Sequence, residues 1–306
     1  MAALYAAFRR GEPSPLPELP LQYADYAAWQ RAWLTGDELE RQLAYWRGKL
    51  GGAPATLDLP FDRPRPAVQD LRGAVHRFAL SAEGARAARE LARGGGATVF
   101  MVLVAAFAAV LRRWSGQDDV VIGTPIINRP RRELEPLIGF FSNTLALRAD
   151  LSGDPSFRAL LGRVRETTLE AYAHQDVPFE KLVDELKAER SLSHSPLFQV
   201  MLTHQTAGPA ADSDSAGDAA DEAVRLGDAV MTALDPRLGT SRFDMTVGIL
   251  EAGDEIVGGV EYAVALFDPS TVARMMAHLD AVLRAAARDA GAPLSAHAIL
   301  ADAERA

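Results

Sequence analysis

Histidine carries protons near neutral pH more often than other side chains, so the six histidines of this chain are the first candidates for chemistry. They are scattered, no two are adjacent, and none stands with a carboxylate at the spacing of metal ligands. Taken singly, each is interpreted as a structural or solvated residue. The six are His76, His174, His194, His204, His278 and His297.

Other common catalytic groups are also missing from the sequence. The chain has no cysteine, which excludes disulfides, thiol nucleophiles, thiolate zinc sites and iron–sulfur clusters. It has no G-x-S-x-G elbow and no H-E-x-x-H, and Gly94-Gly95-Gly96 follows a predicted helix, which is the wrong context for a phosphate loop. The sequence therefore predicts no catalytic residue, no metal and no directly bound cofactor.

Charge and apolar patterning exclude two classes of partner. The formal net charge is -9, whereas nucleic-acid binding needs a basic face. The longest apolar run, Thr98 to Leu111, is shorter than the roughly 20 residues that cross a bilayer, so it predicts a buried helix. The apolar start is followed by Arg9 and Arg10, but a secretory signal has its charges first. We expect no nucleic-acid partner, no membrane partner and a cytoplasmic location.

The elements that must position any site fall into two parts. Residues 1–70 predict a short helix, a helix with an aromatic stripe, a helix from Asp37 to Leu50, and a proline-broken connector from Leu59 to Pro66. The connector is the first plausible domain boundary. The stripe is interpreted as core packing; its members are Tyr23, Tyr26, Trp29 and Trp33.

From Gly73 onwards strands alternate with helices, which predicts an α/β domain with a mixed sheet. Ser81 and Thr98 are predicted helix N-caps, and Asp176 is predicted to cap a helix from Phe179 to Lys187. The segment 207–223 is rich in Ala, Asp, Ser and Gly and predicts a flexible acidic loop. Predicted strands include Val120 to Thr124, Phe140 to Leu147, Leu197 to Thr203, Phe243 to Leu250 and Ile256 to Tyr262.

Four sequence blocks carry the specificity. The first runs from Tyr23 to Trp29 (Y-A-D-Y-A-A-W) and the second from Ile138 to Thr144 (I-G-F-F-S-N-T). The third is H-Q-D-V-P-F-E at residues 174–180, and the fourth ends in S-P-L-F-Q at residues 195–199. Together with R-F-D-M-T at residues 242–246, their order and spacing resemble the condensation domain of non-ribosomal peptide synthetases over essentially the whole chain.

The resemblance implies a fold and a reaction. Such domains have two chloramphenicol-acetyltransferase-like lobes around a tunnel, where carrier proteins deliver two phosphopantetheine-bound aminoacyl thioesters. The acceptor amine attacks the donor thioester to form a peptide bond, which requires proximity and proton management. In this family the orientation and deprotonation of the amine are the role of the second histidine of H-H-x-x-x-D-G. No His-His pair occurs in this chain.

Because the H-H-x-x-x-D-G motif is missing, we expect the chain to hold only part of the two-lobed architecture. We expect residues 71–300 to be the C-terminal lobe, a mixed, largely antiparallel sheet covered by helices. Residues 1–70 would be a remnant of the first lobe with its connector, and residues 301–306 the start of a linker to an adenylation domain. The chain alone is expected to be inactive. The partners implied are carrier proteins, the adenylation domain and the missing first lobe.

The resemblance also assigns site residues. Phe141, Ser142, Asn143 and Thr144 would edge the substrate tunnel; the alternative is that they are ordinary polar residues of a strand. Arg129 would form a site-shaping salt bridge with the aspartate of the absent motif, so we expect local disorder there or rotation of its side chain to solvent. The alternative is a surface arginine. His174 belongs to a helix junction, and a role as replacement base is the less favoured alternative.

Two other functions stay open at this point. The chain could be a non-catalytic module that docks carrier proteins or a separate first lobe. It could also be another member of the superfamily, such as an epimerisation domain, although the second and third blocks fit condensation better.

Overall fold

The computed structural model describes residues 2–188, 191–206, 224–226, 229–231, 239–300 and residue 304. Within them the predicted alternation of strands and helices forms a six-stranded sheet and a separate two-stranded hairpin. The predicted flexible acidic loop, residues 207–223, lies outside the described residues, and so do residues 301–306 apart from residue 304.

The sheet is mixed, as predicted. Its strand order is β1-β8-β7-β4-β2-β3; β4 pairs in parallel with both β2 and β7, and the remaining pairs are antiparallel. A separate hairpin consists of β5 and β6. The strands are β1 (Gly73–Ala79), β2 (Asp119–Ile126), β3 (Asn143–Asp150), β4 (Val200–Thr206), β5 (Val224–Leu226), β6 (Ala229–Met231), β7 (Met245–Ala252) and β8 (Glu255–Ala263).

Helices cover the sheet and precede it in the chain. They are α1 (Ala2–Arg9), α2 (Tyr23–Trp33), α3 (Gly36–Leu50), α4 (Ala82–Gly95), α5 (Val99–Ser115), α6 (Phe157–Ala173), α7 (Phe179–Glu185) and α8 (Pro269–Arg288). Two predicted caps are confirmed: the Ser81 hydroxyl accepts from Gly84 N at 3.0 Å, and the Thr98 hydroxyl accepts from Met101 N at 3.2 Å. Each cap satisfies a backbone donor that the first helical turn leaves free.

The longest apolar run forms the centre of the core. Residues 101–111 of α5 are buried, and the helix packs against α4, α6 and α8. Over the part of the chain that the structure describes, no single helix is long and apolar enough to cross a membrane. The helices α4 and α5 meet such a length and composition test only as a pair, with a bend of 110° between them.

The proline-rich connector and the residues that flank it, together 53–70, are hydrogen-bonded to the segments that precede β4 and α8. Gln199, which is buried just before β4, accepts from Leu57 N at 2.8 Å. Asp62 accepts from the backbone of Asp268 at 2.7 Å, where α8 begins. The connector therefore packs as part of the same unit as the sheet.

A buried ion pair joins the same connector to the start of β7. Arg65 donates two parallel hydrogen bonds to the Asp244 carboxylate, one of them 2.8 Å from Nη1 to Oδ1. Asp244 is 4% exposed and Arg65 is 18% exposed. The guanidinium also lies 4.7 Å above the ring of Phe61 and donates to the carbonyl of Ser193 at 3.3 Å. Arg65 thus ties three segments together.

Two strands begin three residues later than predicted. The strand expected from Phe140 begins at Asn143, because residues 140–142 belong to the loop that precedes it. The strand expected from Leu197 begins at Val200, because Leu197 has a φ of +67°, in the left-handed region that strands exclude.

Candidate functional site

An open cleft of about 800 Å³ lies where β2 ends and β3 begins. Residues of α2 and α7 and those around positions 195–201 and 242–243 complete its wall. The structure brings all four residues predicted for the tunnel to this cleft; they are Phe141, Ser142, Asn143 and Thr144. Phe141 is buried and Ser142 is exposed. Whether they contact substrate stays a prediction.

The side chain of Asn143 forms its hydrogen bonds with the protein backbone. Its Nδ2 donates to the carbonyls of Gln175 (2.9 Å) and Val177 (2.8 Å). Its Oδ1 accepts from its neighbour Thr144 N at 2.8 Å and from Phe179 N at 3.1 Å. Because Phe179 is the first residue of α7, Asn143 caps this helix from a distant strand. It holds the helix that lines the cleft and has no free donor for a ligand.

The predicted capping role of Asp176 is wrong. The residue at the N-cap of α7 is Pro178, which has no side-chain acceptor. The carboxylate of Asp176 instead accepts from Gln42 Nε2 at 2.9 Å, and Asp176 N donates back to Gln42 Oε1 at 3.1 Å. Because Gln42 is buried in α3, this reciprocal pair fastens α3 to the helix junction and leaves capping to Asn143.

Arg129 is held by its own loop, not turned to solvent. Its Nη1 donates to the carbonyls of Leu134, Glu135 (3.1 Å) and Leu137 (2.7 Å). Its guanidinium carbon lies 4.1 Å from the centre of the Phe141 ring. The expectation of local disorder or rotation to solvent is therefore wrong, because three carbonyl dipoles and an aromatic face stabilise the cation where an aspartate was expected.

Replacing Arg129 with Met is expected to loosen the loop from residue 130 to 142. The substitution keeps side-chain length but removes the three hydrogen bonds, so the backbone amides of Leu134, Glu135 and Leu137 should exchange with deuterium about tenfold faster. Hydrogen-exchange mass spectrometry measures this. The control is Arg132→Met, an exposed arginine three residues away. Equal exchange in both variants would contradict an organising role for Arg129.

A small apolar cluster apart from the main core supports this loop. It consists of Tyr26, Leu134, Leu137 and Phe141. The hydroxyl of Tyr23 also donates to the carbonyl of Phe140 at 2.9 Å. The aromatic stripe was expected to be core, yet only Tyr26 is buried; Tyr23, Trp29 and Trp33 are each 37% exposed. The helical spacing predicted the helix correctly but not how little of it the rest of the fold covers.

Among the cleft residues that sequence reasoning did not assign to a site, Tyr26 and Asn128 are both polar and buried. Both are buried, at 7% and 8% exposure, and both line the cleft. A signal existed for Asn128: it follows a strand and precedes Arg129-Pro130, where the chain must turn, and asparagine is among the residues that tolerate the left-handed conformation. Nothing in the stripe distinguished Tyr26 from its neighbours.

No histidine among the described residues lines the cleft. His174 stacks on Tyr45, with ring centroids 4.1 Å apart, and its Nδ1 donates to the carbonyl of Glu170 at 2.8 Å. The same described residues contain no cluster of His, Asp or Glu suited to a metal ion. The cleft wall offers aromatic and amide groups together with charged side chains, which are those of Asp176, Glu180, Asp184 and Arg242.

Comparison with known proteins agrees with this geometry. The family model of the condensation domain matches residues 1–306. A linear gramicidin synthase polypeptide of Brevibacillus parabrevis is 50% identical over 305 residues, which are 100% of this chain and 4% of that protein. Phosphinothricin tripeptide synthetase PhsC of Streptomyces viridochromogenes is 44% identical over 300 residues, covering 98% of this chain and 27% of that protein. The chain thus spans a small part of the curated relatives it matches.

Solved structures share the fold. The X-domain in its complex with OxyB from teicoplanin biosynthesis has a TM-score of 0.85 and 33% identity, covering 98% of this chain and 65% of that chain. The mixed sheet covered by helices is the chloramphenicol-acetyltransferase-like α/β fold that the motifs predicted. Family model, relatives and fold agree: the chain belongs to the condensation-domain family of non-ribosomal peptide synthetases.

Proposed function

We propose that residues 1–306 form one wall of a passage in which the amine of one carrier-bound amino acid attacks the thioester of another. The carbon–nitrogen bond forms, the carbon–sulfur bond breaks, and the donor's thiol leaves. The observation that carries this proposal is the cleft of about 800 Å³ at the Phe-Ser-Asn-Thr block. Both thioesters would be carried on phosphopantetheine arms of carrier proteins.

The cleft positions the two substrates, and the group that accepts the proton of the amine lies outside residues 1–306. Two tethered substrates held in one passage react at a high effective concentration. The attacking amine must also lose a proton, but the chain has no His-His-x-x-x-Asp-Gly motif. We therefore expect residues 1–306 alone to be inactive and to need a first lobe that carries this motif. An adjoining adenylation domain and a cytoplasmic setting fit the same proposal.

The test is reconstitution. The purified chain is incubated with loaded donor and acceptor carrier proteins, alone and with a first-lobe polypeptide that carries the motif. Mass spectrometry should detect a dipeptidyl thioester only in the second mixture. The control is the same lobe with its second motif histidine changed to Ala, which should give no product. Turnover by the chain alone would contradict the proposal and direct attention to His174.

A second candidate is a non-catalytic docking module. It is favoured by the absence of a histidine from the described cleft wall and by the similarity to an X-domain whose structure was solved in complex with another protein, OxyB. Absence of product in every reconstitution mixture, together with retained binding of carrier proteins, would favour this candidate. An epimerisation domain has no observation of its own to support it here.

A further inference from the structure

Two polar side chains on the cleft wall lack a hydrogen-bond partner among the described residues. Tyr26 and Asn128 are each more than nine-tenths buried and line the same cleft. Neither side chain hydrogen-bonds to any residue in the described ranges. A polar side chain without a protein partner can hydrogen-bond to water or to a ligand.

The polar atoms of these two side chains are not fully enclosed. In the described part of the chain, the fully enclosed side-chain atoms without a partner are Tyr45 Oη and His297 Nδ1. The hydroxyl of Tyr26 and the carboxamide of Asn128 are not among them, so both keep access to solvent. Both residues line the cleft, which is large enough for a ligand chain.

The surroundings keep Tyr26 a hydrogen-bond donor. Burial raises the pKa of the Tyr26 hydroxyl, and the nearby negative charge of Asp176 raises this pKa further, with a smaller contribution from Tyr23. The phenol therefore keeps its proton at neutral pH. A neutral phenol can donate one hydrogen bond to a carbonyl oxygen.

The backbone holds Asn128 in an uncommon conformation. Its φ is +50°, in the left-handed region, which asparagine tolerates better than most side chains. The next residue, Arg129, lies 4.1 Å over the ring of Phe141, and Tyr26 packs against this ring with centroids 4.7 Å apart. Tyr26 and the residue that follows Asn128 thus pack against the same buried aromatic side chain.

We propose that Tyr26 and Asn128 together recognise a secondary amide of a chain lying in the cleft. Tyr26 donates to the amide carbonyl, and the carboxamide of Asn128, which has both a donor and an acceptor, pairs with the amide edge. This inference rests on the proposed function, because amides occur both in the pantetheine arm and in a peptidyl chain. It adds recognition residues that lie outside the Phe-Ser-Asn-Thr block.

Calorimetric titration of the purified chain tests the pair. The probes are pantetheine, N-acetylglycine methylamide as the peptide source, and S-butyl thioacetate as a thioester without an amide. Tyr26→Phe and Asn128→Gly should each weaken binding of an amide probe about 3- to 10-fold, and leave the amide-free probe unchanged. Glycine suits the positive φ of Asn128. Tyr45→Phe, an unpartnered tyrosine outside the cleft, is the matched control.

The outcomes separate this inference from the proposed function. A stronger effect on pantetheine assigns the pair to the carrier arm, and a stronger effect on the methylamide assigns it to the peptide chain; both support the pair. If the native chain binds amide probes and both variants bind them equally well, the inference is overturned and the proposed function stands. If the native chain binds none of the three probes, the inference is overturned, whereas the proposed function is decided by the reconstitution test. Thermal unfolding of each variant confirms that it is folded.

Discussion

Asp244→Asn is expected to lower the free energy of unfolding by about 3 kcal/mol, because it leaves Arg65 in a buried site without its countercharge. The amide keeps the shape of the carboxylate but can no longer neutralise the guanidinium. Asp244 is 4% exposed, so water cannot take over this role easily. Since Arg65 also contacts Phe61 and Ser193, the change should loosen the connector against the sheet.

Urea unfolding followed by circular dichroism measures this loss as a lower midpoint at an unchanged slope. The control is Glu12→Gln, which breaks the exposed pair of Glu12 with Arg10 and should leave the midpoint unchanged. The double variant Arg65→Met with Asp244→Leu should lose less stability than Asp244→Asn, because no unpaired charge remains. A loss within experimental error for Asp244→Asn would show that solvent already screens the pair.

Features set by neighbouring residues could be predicted from the sequence. Ser81 and Thr98 cap their helices, because a hydroxyl reaches an amide only three residues ahead. The hairpin of β7 and β8 turns at Gly253, whose φ of +55° suits glycine. In both cases the atoms that decide the structure lie within one turn of chain, so the pattern of residue types is sufficient.

Features set by distant residues could not be predicted in the same way. Asp176 has the right residue type and position for a cap, yet its carboxylate accepts a hydrogen bond from Gln42, which lies 134 positions away. Asn143 then replaces it from a strand 36 positions before Phe179. A single sequence does not show which of two competing acceptors lies closer in space. The motifs located the cleft, but the partners of its side chains follow from packing.

Arg129 illustrates the same limit at the site. The resemblance implies an anionic partner for Arg129 in a motif that this sequence does not contain. A cation, however, can also be stabilised by carbonyl oxygens and an aromatic face. The loop carbonyls up to Leu137 and the ring of Phe141 take that role here. Losing one partner therefore did not imply exposure of the arginine.

Asn143→Asp is expected to destabilise the chain by about 2–4 kcal/mol at pH 7. The carboxylate can still accept from Thr144 and Phe179, but it points an oxygen at the carbonyls of Gln175 and Val177, where the amide of Asn143 donated two hydrogen bonds. The loss should be largest where α7 begins, because the introduced carboxylate repels the carbonyls of the turn that precedes this helix.

The deficit of this variant should depend on pH. The amides of Thr144 and Phe179 favour the charged carboxylate, whereas partial burial and the two carbonyl oxygens disfavour it; we expect the second effect to dominate and to raise the pKa of the introduced Asp in the folded state above its unfolded value of about 3.9. The destabilisation is then full above the folded pKa and shrinks as pH falls through it, because the protonated acid can donate one hydrogen bond. Urea unfolding at pH 7.0, 5.5 and 4.5, always relative to the native chain, measures this dependence.

Asn143→Ala is the control without a titratable group; it removes all four hydrogen bonds of the side chain, the two donated and the two accepted. Its deficit should stay constant across this pH range. Hydrogen exchange at Leu182, whose amide bonds to the carbonyl of Pro178 in the first turn of α7, locates the loss in both variants. A deficit of Asn143→Asp that does not change with pH would mean that the carboxylate turns away from both carbonyls. In that case Asn143 would act only as the cap of α7, and the cleft wall would not depend on its two donated bonds.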